Sequence, residues 1–273
     1  MTSNYSAVIR TKNSAETILS TLNSILSQTL PPKRIFLVDN GSTDTTLTIA
    51  RELCGDLLSI VYYPTDEPFN YGKAVNLGLQ KVETPQTLII SSHVTLLSAE
   101  LLEKASNYLS TESHTASVAF PRNSNEEVES IRFKLGHRNS VSNSAQLIKT
   151  SYWEDCKFSE TIPTAEDRLW EYTLRDQGVL FAISNPAVSY KNPYHNTEKL
   201  VQEAYVMAKF IDTPTTLTSR LKKDLKALAK NLVLLKFENL KKILRLIQAR
   251  LCGFFIGKKA YESSSYRKET NHG

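Results

Sequence analysis

No stretch of this 273-residue chain reaches the roughly 18 consecutive apolar residues that a membrane-spanning helix needs, so no spanning segment is expected. Cysteine is scarce. Cys54, Cys156 and Cys252 are odd in number and far apart, which offers neither a metal-ligand spacing nor a disulfide framework. Three such thiols suit a reducing compartment and read as small buried hydrophobes. The opening residues Met1 to Tyr5 are polar and run straight into a strand, so no secretory leader is expected, and a cytoplasmic location follows. Internal repeats and low-complexity tracts are missing too. What is present is 41% apolar content over 273 residues, enough for one large domain with or without an appendage.

Acidic charge is short in one place only. From Arg220 to Lys259 there are twelve Lys and Arg against Asp224 and Glu238, a local +10, which leaves −5 for the remainder of a chain whose total is +5. The basicity belongs to a partner of that segment and says little about the fold. Leu221, Leu225, Leu228, Leu232 and Leu235, then Leu240, Ile243, Leu244, Ile247 and Leu251, recur at helical spacing among the lysines. Two readings stand: amphipathic helices lying on an anionic membrane surface over 217–259, or helices packed on the catalytic domain or a second subunit. Nucleic acid is excluded as the partner, because no aromatic interleaving or recognition motif accompanies the charge.

The rest of the chain alternates strand and helix. Ser6–Thr11 reads as a strand, followed by a helix over about Ala15–Gln28 with Ile18, Leu22, Ile25 and Leu26 on one stripe. Ile35-Phe36-Leu37-Val38 is an unbroken apolar run of the kind a central parallel strand shows, and it stops at Asp39-Asn40-Gly41. Ser42, Thr43 and Asp44 offer capping oxygens for a helix to about Leu53. A strand at Leu58–Tyr63, a helix at Tyr71–Lys81, a strand at Thr87–Ile90, a helix at about Ala99–Leu109 and a strand at Ala116–Phe120 complete the series. Such alternation predicts right-handed βαβ units in a mostly parallel sheet flanked by helices, with ligands at the carboxyl ends of its strands. Asn123–Ser142 is polar and aperiodic, a surface insertion. Order returns at Ala145–Tyr152; a helix opens at Glu166-Asp167 and stops at Gly178; a short strand spans Val179–Ile183; and a helix covers Thr197–Ile211. Residues 1–212 are read as the catalytic domain and 213–273 as a basic helical extension.

Four motifs in order carry a resemblance: Val8-Ile9-Arg10-Thr11-Lys12-Asn13; Val38-Asp39-Asn40-Gly41-Ser42-Thr43-Asp44; Gly72-Lys73-Ala74-Val75-Asn76-Leu77-Gly78; and Glu166-Asp167-Arg168-Leu169-Trp170. Over about residues 5 to 210 the chain resembles the family 2 inverting glycosyltransferases of GT-A fold. The resemblance implies a hexosyltransferase-type enzyme that moves a sugar from a nucleotide diphosphate to a glycan or lipid-linked acceptor, building surface polysaccharide such as O-antigen, capsule or exopolysaccharide. It implies Thr11, Asn13, Asp39, Asn40, Lys73, Ser91 and His93 on the donor-nucleotide side. His195 answers to a late histidine that the family places near the diphosphate. A carboxylate such as Asp39 accepts hydrogen bonds from base or ribose, and an ammonium such as Lys73 pairs with phosphate oxygens.

Transfer needs a base for the acceptor hydroxyl. Glu166 and Asp167 lie at a helix N-terminus, where backbone N–H groups and the helix dipole hold a carboxylate. Asp167 is the expected base, with Glu166 as its alternate or support. Trp170, three positions on, either lines the acceptor site or packs in the core. One departure stands out. Where the family usually carries Asp-x-Asp to hold Mg²⁺ or Mn²⁺, this chain has Ser91-Ser92-His93, two hard carboxylate ligands short. Either His93 still binds a metal, with His195 or a carboxylate, or His93 and Lys73 offset the diphosphate charge without one, or the site is silent. Two further readings stay open: a catalytically silent binding subunit, and a nucleotidyltransferase, although the Gly-rich loop which that class wants after the first strand is missing.

Overall fold

Alternating apolar side chains lock the strands between two helical layers. A computed structural model of the chain describes residues 3–64, 66–123, 128, 130–137, 140–191, 197–210, 214–233 and 237–256. In β1 (Tyr5–Thr11) and β2 (Ile35–Asp39) successive side chains serve opposite faces, as the strand period demands. Ala7, Ile9, Ile35 and Leu37 join one core cluster with Ile18, Leu22 and Ile25 of α1 (Ile18–Leu26). Val8, Phe36 and Val38 join a second with Ala74, Val75 and Leu79 of α3 (Tyr71–Leu79). Each fully buried aliphatic side chain contributes about 1.5–3 kcal/mol, so both faces must be covered for the sheet to hold.

Between those helices lie α2 (Thr46–Cys54) and β3 (Leu58–Tyr62). Next come β4 (Gln86–Ser91), β5 (Val94–Leu96), α4 (Leu101–Thr111) and β6 (Thr115–Ala119). The chain then passes through β7 (Phe133–Leu135), β8 (Ala145–Lys149), α5 (Thr150–Asp155), α6 (Glu166–Asp176), β9 (Leu180–Ser184) and β10 (Val188–Tyr190). The main sheet is ordered β3-β2-β1-β4-β8-β6-β9-β7, and β5 pairs with β10 in a separate ribbon. β1, β2, β3 and β4 run parallel, as do β6 and β9. β8 enters antiparallel between β4 and β6, and β7 runs antiparallel to β9. The expected mostly parallel sheet is thus a parallel half joined to a mixed half. The stretch read as irregular contains β7, whose three residues are half-buried or exposed and too few to show a period.

Gly78 of α3 is needed because the helix lies hard against the sheet: an added Cβ would collide with the side chains of Val8 and Val38. Gly178, at φ +84°, ends α6 in the left-handed conformation foreseen for it.

Residues 3–161 and 166–191 form one compact unit, and 162–165 with the described residues from 197 onwards form another. In the second, α7 (Thr197–Phe210), α8 (Pro214–Val233) and α9 (Phe237–Leu251) assemble with α9 against both other helices. Arg250 Nε pairs with Asp224 at 2.8 Å, tying α9 to α8. Leu225 and Leu244 remain more than half exposed on these helices. No helix among the described residues is long and apolar enough to cross a membrane.

Candidate active site

Three parallel strands deliver the first residues together. Thr11 ends β1 opposite Asp39 at the end of β2, and Arg10 pairs in register with Ser91 at the end of β4. Asp39 is buried. Its carboxylate accepts the Ser42 N–H at 3.0 Å and the Ser42 hydroxyl at 2.5 Å, so Ser42 serves this turn while Asp44 accepts the Thr46 N–H at the start of α2. Asn13 takes φ +46°, a conformation asparagine tolerates. There its Oδ1 accepts the Thr43 N–H at 2.8 Å, and its own N–H donates to Ser42 Oγ. The Asn40 N–H donates to the Thr11 carbonyl at 3.0 Å. Thr11, Asn13, Asp39 and Asn40 therefore form one cradle. Thr11 Oγ1 is buried there with no hydrogen-bond partner among the described residues.

Lys73 sits in the first turn of α3, where Asn70 caps the helix by accepting the Lys73 N–H at 2.9 Å. Its ammonium pairs with Glu67 and lies 6.0 Å from the Tyr63 ring, and the Tyr63 N–H donates to the Asp39 carbonyl. The hydrogen bond from Lys73 to Glu67 raises the lysine above its ordinary range. Glu67 is thus the counter-ion of Lys73.

Ser91, Ser92 and His93 follow at the end of β4. Ser91 Oγ accepts from Arg10 Nη2 at 3.1 Å, and the Ser92 and Ser14 hydroxyls are 2.7 Å apart. The His93 ring meets Tyr190 edge-on at 6.2 Å, and its carbonyl accepts the Lys191 N–H. Among the described residues no group of three His, Cys, Asp or Glu stands close enough to hold a metal ion. Both serine hydroxyls are engaged, and a guanidinium beside Ser91 would repel a divalent cation. The described residues at this strand end do not fit a metal. His195 lies outside the described residues.

Asp167 and Glu166 open α6, directly after Ala165 in the left-handed region at φ +64°. Asp167 Oδ2 accepts the Asn143 N–H at 2.9 Å, and its Oδ1 accepts the Arg168 N–H at 2.8 Å. Glu166, 4% exposed, accepts from Asn143 Nδ2 at 3.1 Å and lies 3.6 Å from Arg10 Nη1. Burial, and next the charge of Asp167, push the Glu166 carboxyl up to about 7 against the pull of Arg10 and Asn143. Through Arg10 the two acids join the strand ends that carry Thr11 and Ser91.

Trp170 goes elsewhere. It is 2% exposed, donates from Nε1 to the Cys156 carbonyl and packs on Phe158 and Phe181. That is the packing alternative of its two expected roles. Arg10 and Asn143 are the residues that sequence reasoning passed over. Arg10 had a signal, a charge set directly after the apolar run Ala7-Val8-Ile9 and still within the strand; Asn143, at the end of an aperiodic stretch, had none.

Comparison with known proteins bears on the stretch that holds Arg10, Thr11, Asp39, Lys73 and Ser91. A family model described as "Glycosyl transferase family 2" matches residues 6–164. Among solved structures, the mannosyltransferase PcManGT from Pyrobaculum calidifontis, in complex with GDP-Man and Mn²⁺, superposes with a TM-score of 0.66 at 16% identity, covering 94% of this chain and 89% of that one. S. aureus TarS 1–349 superposes at 0.55 with 21% identity over 76% of this chain, which spans 64% of that structure; a further TarS structure holds UDP-GlcNAc. A mycobacterial protein superposes at 0.58 with 14% identity. At these identities the likenesses establish the fold. No curated protein gives a significant match.

Proposed function

The chain belongs to glycosyl transferase family 2, and from that premise we propose that it transfers a sugar from a nucleotide-diphosphate donor to a glycan or lipid-linked acceptor, with inversion, in surface polysaccharide assembly. Asp167 is the base in this reading. It takes the proton of the acceptor hydroxyl as that oxygen attacks the anomeric carbon; the bond from that carbon to the diphosphate breaks on the opposite face, and the nucleotide diphosphate leaves. Thr11, Asn13, Asp39 and Asn40 hold base and ribose, while Lys73 and His93 meet the diphosphate charge. Glu166 is enclosed and held by Arg10 and Asn143, while Asp167 is only half-buried, which supports Asp167 over Glu166 as the acid an acceptor can reach.

The observation that carries the reading is the pair of N–H groups on the Asp167 carboxylate, one on each oxygen, which leaves lone pairs to accept a proton from a bound hydroxyl. UDP-GlcNAc and GDP-Man, the ligands of the TarS and PcManGT structures, are the first donors to assay, with and without chelator. Asp167→Asn should lower turnover by about 10²–10⁴-fold, the usual share of a general base, while nucleotide binding by calorimetry is kept. Full turnover in that variant removes Asp167 as the base. A parent protein that binds these donors yet neither transfers nor hydrolyses them would instead be a silent binding subunit.

A further inference from the structure

β1 holds one charged residue, Arg10, and its guanidinium is almost enclosed, with 11% of the side chain exposed. Taking a guanidinium out of water is costly unless partners replace the solvent. Nη2 donates to Ser91 Oγ at 3.1 Å and to the Asn143 carbonyl at 2.8 Å; Nη1 faces Glu166; and the Tyr71 ring lies 5.3 Å from Cζ. Asn143 relays this grip. Its N–H donates to Asp167 Oδ2, its Nδ2 donates to Glu166 Oε1, and its Oδ1 accepts from Gln146 Nε2 at 2.6 Å. The peptide groups on either side of the Asn143 Cα are thus pinned, one by Arg10 and the other by Asp167.

We propose that Arg10 is a positioning residue of the transfer reaction: through Asn143 it fixes the direction of the Asp167 carboxylate, and from the strand side it supplies the positive charge facing Glu166. The inference rests on the reading of Asp167 as the base. A planar fork can serve Ser91, Asn143 and Glu166 together, which a lysine cannot. The other groups around the acids are Tyr71 at the head of α3, Tyr190 of β10 with Arg122 over its ring at 5.8 Å, and Arg168 and Glu171 within α6. Arg10 is the cation reaching Glu166 from outside its own helix.

Arg10→Met and Arg10→Lys test this in the full chain. Carbon-13 titration of the Glu166 carboxyl needs no substrate. Its midpoint should rise by about one pH unit or more in Arg10→Met and stay near the parent's in Arg10→Lys. With UDP-GlcNAc or GDP-Man as donor, Arg10→Met should lower kcat by about 10²-fold, the cost of a base displaced by about 1 Å, with the donor KM held. Arg10→Lys should keep the acid limb of the kcat/KM profile and still lose kcat. An unmoved Glu166 midpoint in Arg10→Met, a full kcat in Arg10→Lys, or a raised donor KM at normal kcat each overturns the proposal. If Arg10→Met does not fold, the lysine variant decides. Asp167→Asn separates the two readings: inactive alongside a normal Arg10→Met it leaves the base in place and removes Arg10, whereas an active Asp167→Asn removes the base itself.

Discussion

Glu166 and Asp167 are neighbours in sequence with different surroundings. Glu166 is enclosed, while Asp167 is half-buried and bonded through both oxygens to backbone N–H groups. The enclosed acid should leave a mark on stability. With its carboxyl raised to about 7 from an ordinary 4.5, the native state binds more protons than the unfolded state between those values. Stability therefore falls as pH climbs through that window and levels off above it. Glu166→Gln mimics the protonated form and should remove the fall. Thermal melts of variant and parent should coincide near pH 4.5 and separate toward pH 7.5, with the variant higher; a constant gap across that range would refute the assignment. Arg10 lies on the same scale, a charge tolerated in a buried strand because Ser91, Asn143 and Glu166 meet it together.

At the scale of elements, α3 does two jobs. Its first turn presents Lys73, and its inner face closes the core over Val8 and Val38. Asn76 of the same helix fixes it from outside the sheet, with Nδ2 bonding the Phe158 carbonyl at 2.8 Å and Oδ1 accepting from Trp153 Nε1. That tight seat explains glycine at 78. Gly78→Ala would overpack the interface and should cost about 1–3 kcal/mol in urea denaturation, since the blocking atoms belong to side chains of central strands. A loss under half of that would show that α3 can lift away. The strands and helices of the first 120 residues were legible in the sequence within a few residues, because unbroken apolar runs and 3.6-residue stripes each permit one partner geometry. The ribbon of β5 and β10, and the strand β7, were not. Three residues are too few to show a period, and their pairing depends on partners far along the chain.

The whole molecule carries its charge unevenly, and α8 and α9 hold most of the basic excess. In this segment α9 packs on α7 and α8, while Leu225 and Leu244 stay exposed. We propose that the exposed lysines and leucines of α8 and α9 rest on an anionic bilayer surface. Each Lys or Arg near such a surface adds about 1 kcal/mol, so a few suffice for reversible attachment. Co-sedimentation should occur with phosphatidylglycerol vesicles, fade with salt and fail with pure phosphatidylcholine; equal binding to both lipids would sink the idea.

The amino-acid sequence alone determined the βαβ alternation, the acid at the end of β2, the acids that open α6, and the run Ser91-Ser92-His93 at the end of β4, because each is written in a contiguous run of residues. Tertiary structure alone decided that β8 slips antiparallel into the sheet, that Trp170 turns inward, and that Arg10 grips Asn143 across 133 positions of sequence. Polar contacts over such separations have no period and no local propensity. They exist only once the strand ends have been brought together, when burial makes an unpaired charge too costly to keep.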